Sequence, residues 1–314
     1  MSSHGRPVKA EEALIFPFVS DRRSASPHPR GKSAMRIAIY RWCLDHHVGR
    51  IRGGHRLLRV LHRLTPALSS YPIRLDDGLA PVYIDLTRAT WQEVQLFTAP
   101  TVHEAPLQAL FRALITPKDR VVDIGANLGR HMVLLDHLAA HVDAVEPNSA
   151  LLPNLRRTVA GLQHTTLHEC ALGDHTGSVS MIVPPDHSTA HVGGTGSTPL
   201  RRLDDLVHGP VDLMKVDVEG FEAPVFRGAA RLLNHAAAPV IVFEELHRNS
   251  EARDVLASYQ AARYRFWVIP REGPIQPYDD DRPKWCDVLA VPAARHATVA
   301  LRLGLQSEPV AVPQ

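Results

Sequence analysis

From residue 105 to residue 291, short apolar runs alternate with segments whose apolar positions recur at helical spacing, which predicts strands alternating with helices. The runs fall at 121–124, 141–145, 165–168, 213–216 and 240–243, and two more follow at 266–269 and 287–291. Helical spacing marks 107–114, 132–138 and 151–159. Alternating strands and helices build a mostly parallel sheet, and the last two runs read as its antiparallel closure. The expected class is α/β. Segments 177–183 and 200–206 look like an added hairpin region around the loop Gly193-Gly194-Thr195-Gly196.

Upstream the pattern changes. Positions 73–86 read as a β-hairpin turning at Asp77-Gly78. Positions 36–64 read as one or two basic helices broken near Gly53-Gly54, with an apolar stripe of Leu57, Leu58, Leu61 and Leu64 between Arg52, Arg56, Arg59 and Arg63. Such a stripe either packs on the neighbouring domain or meets a membrane surface or partner. Residues 1–34, rich in Ser, Pro, His and Arg, carry no periodicity and are expected to be disordered, with Met35 a second candidate start. The expected division is 1–34, a helical and hairpin extension at 35–95, a main domain at 96–295 and a tail at 296–314.

The chemistry concentrates where the first parallel strand ends. Val121-Val122-Asp123-Ile124 runs into Gly125-Ala126-Asn127-Leu128-Gly129 and then a helix, the arrangement in which α/β sheets bind nucleotides. The second strand ends in Glu146, placed to accept two ribose hydroxyls. The loop is G-x-x-x-G, with Asn127 where a dinucleotide loop needs Gly for backbone to approach a pyrophosphate. Such a loop suits a nucleoside without phosphates, such as S-adenosylmethionine. Gly125 and Gly129 permit the turn and the close helix approach, and Asp123 is expected to orient the loop, reaching the cofactor amine through a water. Adenine is expected against Cys170-Ala171-Leu172, with Ala171 at its centre.

The runs Val122-Asp123-Ile124-Gly125-Ala126-Asn127-Leu128-Gly129, Val145-Glu146-Pro147-Asn148 and Leu213-Met214-Lys215-Val216-Asp217-Val218-Glu219-Gly220 occur in the order found in the FkbM family of S-adenosylmethionine-dependent methyltransferases, which this chain resembles from about residue 104 to about residue 290. The resemblance implies a class I methyltransferase (Rossmann-like) fold. That is a three-layer sandwich with a mostly parallel seven-stranded sheet, here carrying the N-terminal helical and hairpin extension. It also implies methylation of a hydroxyl on a polyketide, sugar or lipid-like metabolite. Glu104 resembles an acid that the family places near the cofactor.

Methyl transfer asks the protein to align the reactants and often to take a proton from the acceptor. Asp217 and Glu219 follow the fourth strand; Glu244, Glu245 and His247 follow the fifth. Asp217, Glu219 and His247 are the candidates to act on the acceptor, Asp217 also touching the cofactor, and His247 suits proton removal near neutrality. Each has a bland alternative, since acids at strand ends also cap helices or pair with Arg. The same acids could hold Mg²⁺, but cofactor and substrate contacts explain them equally, so no metal is expected.

Composition narrows the classes. The 314 residues are 45% hydrophobic with a formal net charge of +2, which fits a globular protein and points to no particular partner. Cys43, Cys170 and Cys286 are scattered, so neither a disulfide framework nor a zinc site is indicated. There is no membrane-length apolar run and no continuous signal core, which leads to an expected cytoplasmic location. Aromatic residues make up only 6%, so no nucleic-acid surface is expected. An O-methyltransferase acting on a small natural product, sugar or glycan leads. A nicotinamide oxidoreductase and an inactive cofactor-binding module stay open, as do peripheral membrane contact by the basic helix and the oligomeric state.

Overall fold

The structure is a computed structural model that describes residues 35, 37–39, 42, 69–75, 77–86, 90–98, 104–182, 191–193, 196–246, 250–279 and 281–305. The expectations for 1–34, for the stripe at 57–64 and for His247 lie outside these residues.

The chain enters through the foreseen hairpin, β1 (Tyr71–Ile73) against β2 (Val82–Ile84), antiparallel. The Asp77 carboxylate accepts the Leu79 N–H at 3.1 Å and the Gly78 N–H reaches the Leu75 carbonyl at 3.1 Å, closing the turn. Helix α1 (Trp91–Thr98) leads to α2 (Ala105–Leu114), and then the alternation begins: β3 (Arg120–Ile124), α3 (Arg130–Leu138), β4 (His141–Val145), α4 (Leu152–Val159) and β5 (Thr165–His168).

An insertion follows, made of β6 (Ala171–Leu172), β7 (Gly177–Val179), β8 (Met181–Ile182), β9 (His191–Val192) and β10 (Thr198–Arg201). The expected strand at 200–206 is two elements. After β10 the chain turns into α5 (Leu203–Leu206), because Leu203 and Asp204 are drawn inward and the Asp204 carboxylate accepts the Arg231 and Leu232 N–H groups at 2.7 and 3.1 Å. The remaining elements are β11 (Leu213–Val216), α6 (Glu222–Arg227), α7 (Ala230–Leu233), β12 (Val240–Leu246), α8 (Glu251–Ala257), β13 (Arg265–Ile269), β14 (Gln276–Pro277), β15 (Trp285–Val291) and α9 (His296–Leu303).

The main sheet runs β14-β13-β15-β12-β11-β3-β4-β5. Strands β5, β4, β3, β11 and β12 are parallel, and β15 enters antiparallel between β12 and β13. This is the doubly wound order with an antiparallel insertion that the class I methyltransferase fold has. Seven strands were expected and eight are found; the extra one is the two-residue edge strand β14, too short to leave a pattern in the sequence.

Alternate positions on each strand face opposite layers. Val121, Val142, Leu213, Val240, Val242, Leu289 and Val291 pack with α2, α3 and α9. Val122, Ile124, Met214, Val216, Ile241, Phe243, Val288 and Ala290 pack with α5 to α8. Each Val, Leu, Ile, Met or Phe among them, fully buried, contributes about 1.5–3 kcal/mol. The hairpin forms its own cluster, in which Ile73, Val82 and Ile84 meet Leu96 and Phe97 of α1 and Val133 of α3.

Candidate active site

Parity decides which strand-end side chains meet. Asp123 and Lys215 are register partners, one position apart in phase from the buried Val122 and Met214, so both lie on the α2–α3 face. Glu244 and Asp287 are register partners on that face too, beyond Val242 and Leu289. Glu245 faces the other way. Its buried carboxylate takes the Arg282 Nε at 2.9 Å, the Arg282 Nη2 and the Tyr278 hydroxyl at 2.8 Å, so it is a structural anchor and not the acceptor-side acid or metal ligand weighed from the sequence.

A cleft of roughly 250 Å³ opens over the ends of β3, β4, β11 and β12. Glu104, Gly125, Asn127, Glu146, Ala171, Asp217 and Glu219 all line it, joined by Glu244. Asp123 and Gly129 stand behind its wall and shape it.

The loop after β3 is held by its own contacts. The Gly125 and Ala126 N–H groups both donate to the Val145 carbonyl, at 3.0 and 3.1 Å. Asn127 adopts φ 52, a left-handed conformation that Asn tolerates better than most residues, and its N–H donates to Glu146 Oε2 at 2.8 Å. The Gly129 N–H returns to the Ala126 carbonyl at 2.8 Å. Gly125 needs to be Gly, because at φ 81 a Cβ would lie 1.9 Å from the Asp217 carbonyl oxygen.

Glu146 is buried, not at the surface. Its two oxygens accept the Asn127 and Asn148 N–H groups, each at 2.8 Å, yet burial outweighs these bonds and pushes its pKa up. Each carboxylate oxygen has a second lone pair left for a ligand hydroxyl. Beside it the buried Asn127 Oδ1 and Asn148 Nδ2 have no hydrogen-bond partner among the described residues, nor do the two Asp123 oxygens. Buried polar atoms in that state call for a ligand or water.

Lys215 is buried among acids. Its Nζ lies 3.2 Å from Asp217 Oδ2, 3.6 Å from Asp123 Oδ1 and 3.5 Å from the Gly125 carbonyl oxygen. Burial alone would lower its pKa; the charges of Asp217, Asp123 and Glu104 prevail and hold it above its usual value.

The turn after β11 is tight. Glu219 at φ 54 and Gly220 at φ 93 are consecutive left-handed residues, and the buried Glu222 carboxylate accepts the Val218 and Gly220 N–H groups at 3.3 and 3.1 Å. This turn brings Asp217, Glu219 and Glu244 together, with one carboxylate oxygen from each within 4.8 Å of the others. The trio offers three hard oxygen ligands for a divalent cation, although the Lys215 ammonium already sits on Asp217. Glu244 is pushed up to about 8, by burial first and then by Asp217, Glu219, Asp287 and Glu222. Asp287 rises to about 7 through burial and the charges of Glu104 and Asp217.

Glu104 adopts φ 59 just before α2, and its Oε2 lies 3.1 Å from His131 Nε2 on α3. Arg130 lines the cleft next to it, held below its usual pKa by burial and partly restored by Glu104. Sequence reasoning missed Arg130, His131, His191 and Asp287, and it gave Lys215 no role. Asp287 and Lys215 had a usable signal, namely their strand parity with Glu244 and Asp123.

Residues 123–266 match the methyltransferase FkbM domain family. No curated protein matches the chain. Among solved structures, a methyltransferase FkbM from Methylobacillus flagellatus KT is 18% identical, at a TM-score of 0.40, over 81% of this chain and 58% of that one. A precorrin-6y C5,15-methyltransferase from Geobacter metallireducens GS-15 is 16% identical, at a TM-score of 0.39, over 70% of this chain and all (100%) of that one. A putative methyltransferase from Streptococcus mutans in complex with SAH is 11% identical, at a TM-score of 0.37, over 60% of this chain and 97% of that one. This chain thus spans less than two thirds of the length of the first of these, 58%.

Proposed function

Residues 123–266 match the methyltransferase FkbM domain family, and on that premise we propose that the chain transfers a methyl group from S-adenosylmethionine to a hydroxyl of a small natural product, sugar or glycan. One observation carries the choice of cofactor. The N–H groups of Gly125, Ala126, Asn127 and Gly129 are all engaged within the protein, so the loop has no free row of amides for a pyrophosphate. A nicotinamide dinucleotide needs that row. A nucleoside carrying an amino acid does not.

The residues fit such a cofactor. Glu146, with lone pairs remaining, would take the ribose hydroxyls, and the unpartnered Asn127 Oδ1 and Asn148 Nδ2 lie on the same wall. Cys170, Ala171 and Leu172 supply an apolar surface for the adenine. Glu104, Gly125 and Asp217 would surround the amino-acid end, with Asp123 and Gly129 behind them. S-adenosylmethionine brings an electrophilic methyl group on a sulfonium that leaves as a neutral thioether.

On the acceptor side, Asp217 and Glu219 would hold the acceptor hydroxyl and receive its proton as its oxygen bonds to the methyl carbon. Glu244 beside them is raised to about 8 and so can hold a proton near neutrality. Among the described residues no helix is long and apolar enough to cross a membrane.

The test is transfer of a labelled methyl group from S-adenosylmethionine to a panel of hydroxylated metabolites, sugars and glycans. Label appearing on an acceptor oxygen supports the reading. Label on nitrogen or carbon acceptors alone would replace O-methylation with another methyl transfer.

A further inference from the structure

The Lys215 ammonium sits where three parts of the site converge. Its strand, β11, pairs with β3, and Lys215 is the register partner of Asp123. From there Nζ reaches forward to the Gly125 carbonyl at 3.5 Å and to Asp217 Oδ2 at 3.2 Å. The backbones meet at the same seam. The Asp217 N–H donates to the Ile124 carbonyl at 3.0 Å, and the Asp217 carbonyl fills the space a Gly125 side chain would need. Asp123 contributes a fully buried carboxylate with no hydrogen-bond donor on either oxygen among the described residues, and Lys215 at 3.6 Å is the cation beside it.

We propose that Lys215 is a positioning residue that locks the cofactor loop to the acceptor-side turn, its buried ammonium holding the Gly125 carbonyl and the Asp217 carboxylate across the β3–β11 seam. The loop cannot lift from Asp217 without taking the Gly125 carbonyl away from a buried ammonium. An apolar side chain of the same length would fill the volume and leave only the backbone contacts joining the two segments. This rests on reading 125–129 as the S-adenosylmethionine loop.

A bare counterion role for Lys215 is the competing account, and a double-mutant comparison on the full-length protein separates the two. Lys215→Met alone strands the Asp123 charge and is expected to lower Tm sharply. Asp123→Asn with Lys215→Met removes both charges and is expected to recover that stability. Calorimetry with S-adenosylmethionine then compares the double variant with Asp123→Asn alone. If Lys215 only neutralises Asp123, the two bind alike. If it locks the loop, the double variant binds about 10-fold more weakly, as loss of a charged contact predicts, and its amides at 125–129 exchange faster. Should the Met side chain fail to fold even there, Lys215→Gln in the Asp123→Asn background makes the same comparison, since it removes the charge and the reach. Equal affinity and equal exchange overturn the proposal while leaving the methyltransferase reading intact. Wild-type protein that binds no S-adenosylmethionine overturns both.

Discussion

The Glu146 carboxylate accepts the Asn127 N–H at 2.8 Å, so the acid that ends β4 and the loop that ends β3 form one unit. In the proposed function this unit, not a row of free amides, would recognise the nucleoside.

Replacing Glu146 therefore affects both fold and binding. Glu146→Ala is expected to weaken S-adenosylmethionine binding by about 1.5–3 kcal/mol for each charge-assisted hydrogen bond lost. Because the residue is buried and holds two backbone amides, it also lowers Tm, which a surface acid would not do. Glu146→Gln keeps one acceptor oxygen and should fall between. Calorimetry and thermal melts of both variants check this; a folded Glu146→Ala with unchanged affinity would place the ribose elsewhere.

The two glycines beside Asp217 should respond differently to Ala. Gly220→Ala places its Cβ in open space at φ 93 and costs only the backbone term, about 1–2 kcal/mol. Gly125→Ala adds a 1.9 Å clash with the Asp217 carbonyl, so it should lose more stability and S-adenosylmethionine binding as well. Equal Tm losses would mean that the loop yields freely.

The parallel core and the glycine-bracketed loop after β3 were legible in the sequence because they are local. A buried strand is a continuous apolar run, and the turn carries its glycines within five residues. The bounds of β4 and β5 and the antiparallel closure followed from the same pattern. The acceptor side was read less well. Glu244 and Glu245 are adjacent and chemically alike, and only their opposite faces separate a cleft acid from an anchor for Arg282. Asp287 is more than forty residues from Glu244 in the chain, so the parity of its own strand gives its face, while its partner follows only from the strand pairing. The roles of Arg130 and His131 arise where α3 meets Glu104, a contact between elements.

Asp217→Asn and Glu219→Gln should retain cofactor affinity while losing a factor of about 10²–10⁴ in turnover, the range for a general acid or base. Loss of cofactor binding instead would move the residue to the cofactor shell. Rate is expected to be insensitive to EDTA, because Lys215 already supplies a cation to Asp217. Activity abolished by EDTA and restored by Mg²⁺ would make Asp217, Glu219 and Glu244 the ion's ligands.

Glu244 predicts a pH dependence of stability. Its folded-state pKa of about 8 lies above the ordinary 4.5, so between these values the folded chain keeps a proton that the unfolded chain has released. Stability contributed by this site therefore falls as pH rises through that window. Glu244→Gln cannot ionise, so in metal-free buffer its Tm should gain on wild type as pH rises from about 5 to about 8. A difference independent of pH would mean that Glu244 is ionised throughout.

Everything proposed for this cleft depends on its taking a phosphate-free nucleoside cofactor. Calorimetric titration of the full-length protein with S-adenosylmethionine, and separately with NAD and NADP, tests it most directly. The expected result is saturable binding of S-adenosylmethionine that Glu146→Ala weakens, and no heat from either dinucleotide. Tight NAD binding without any response to S-adenosylmethionine would contradict it.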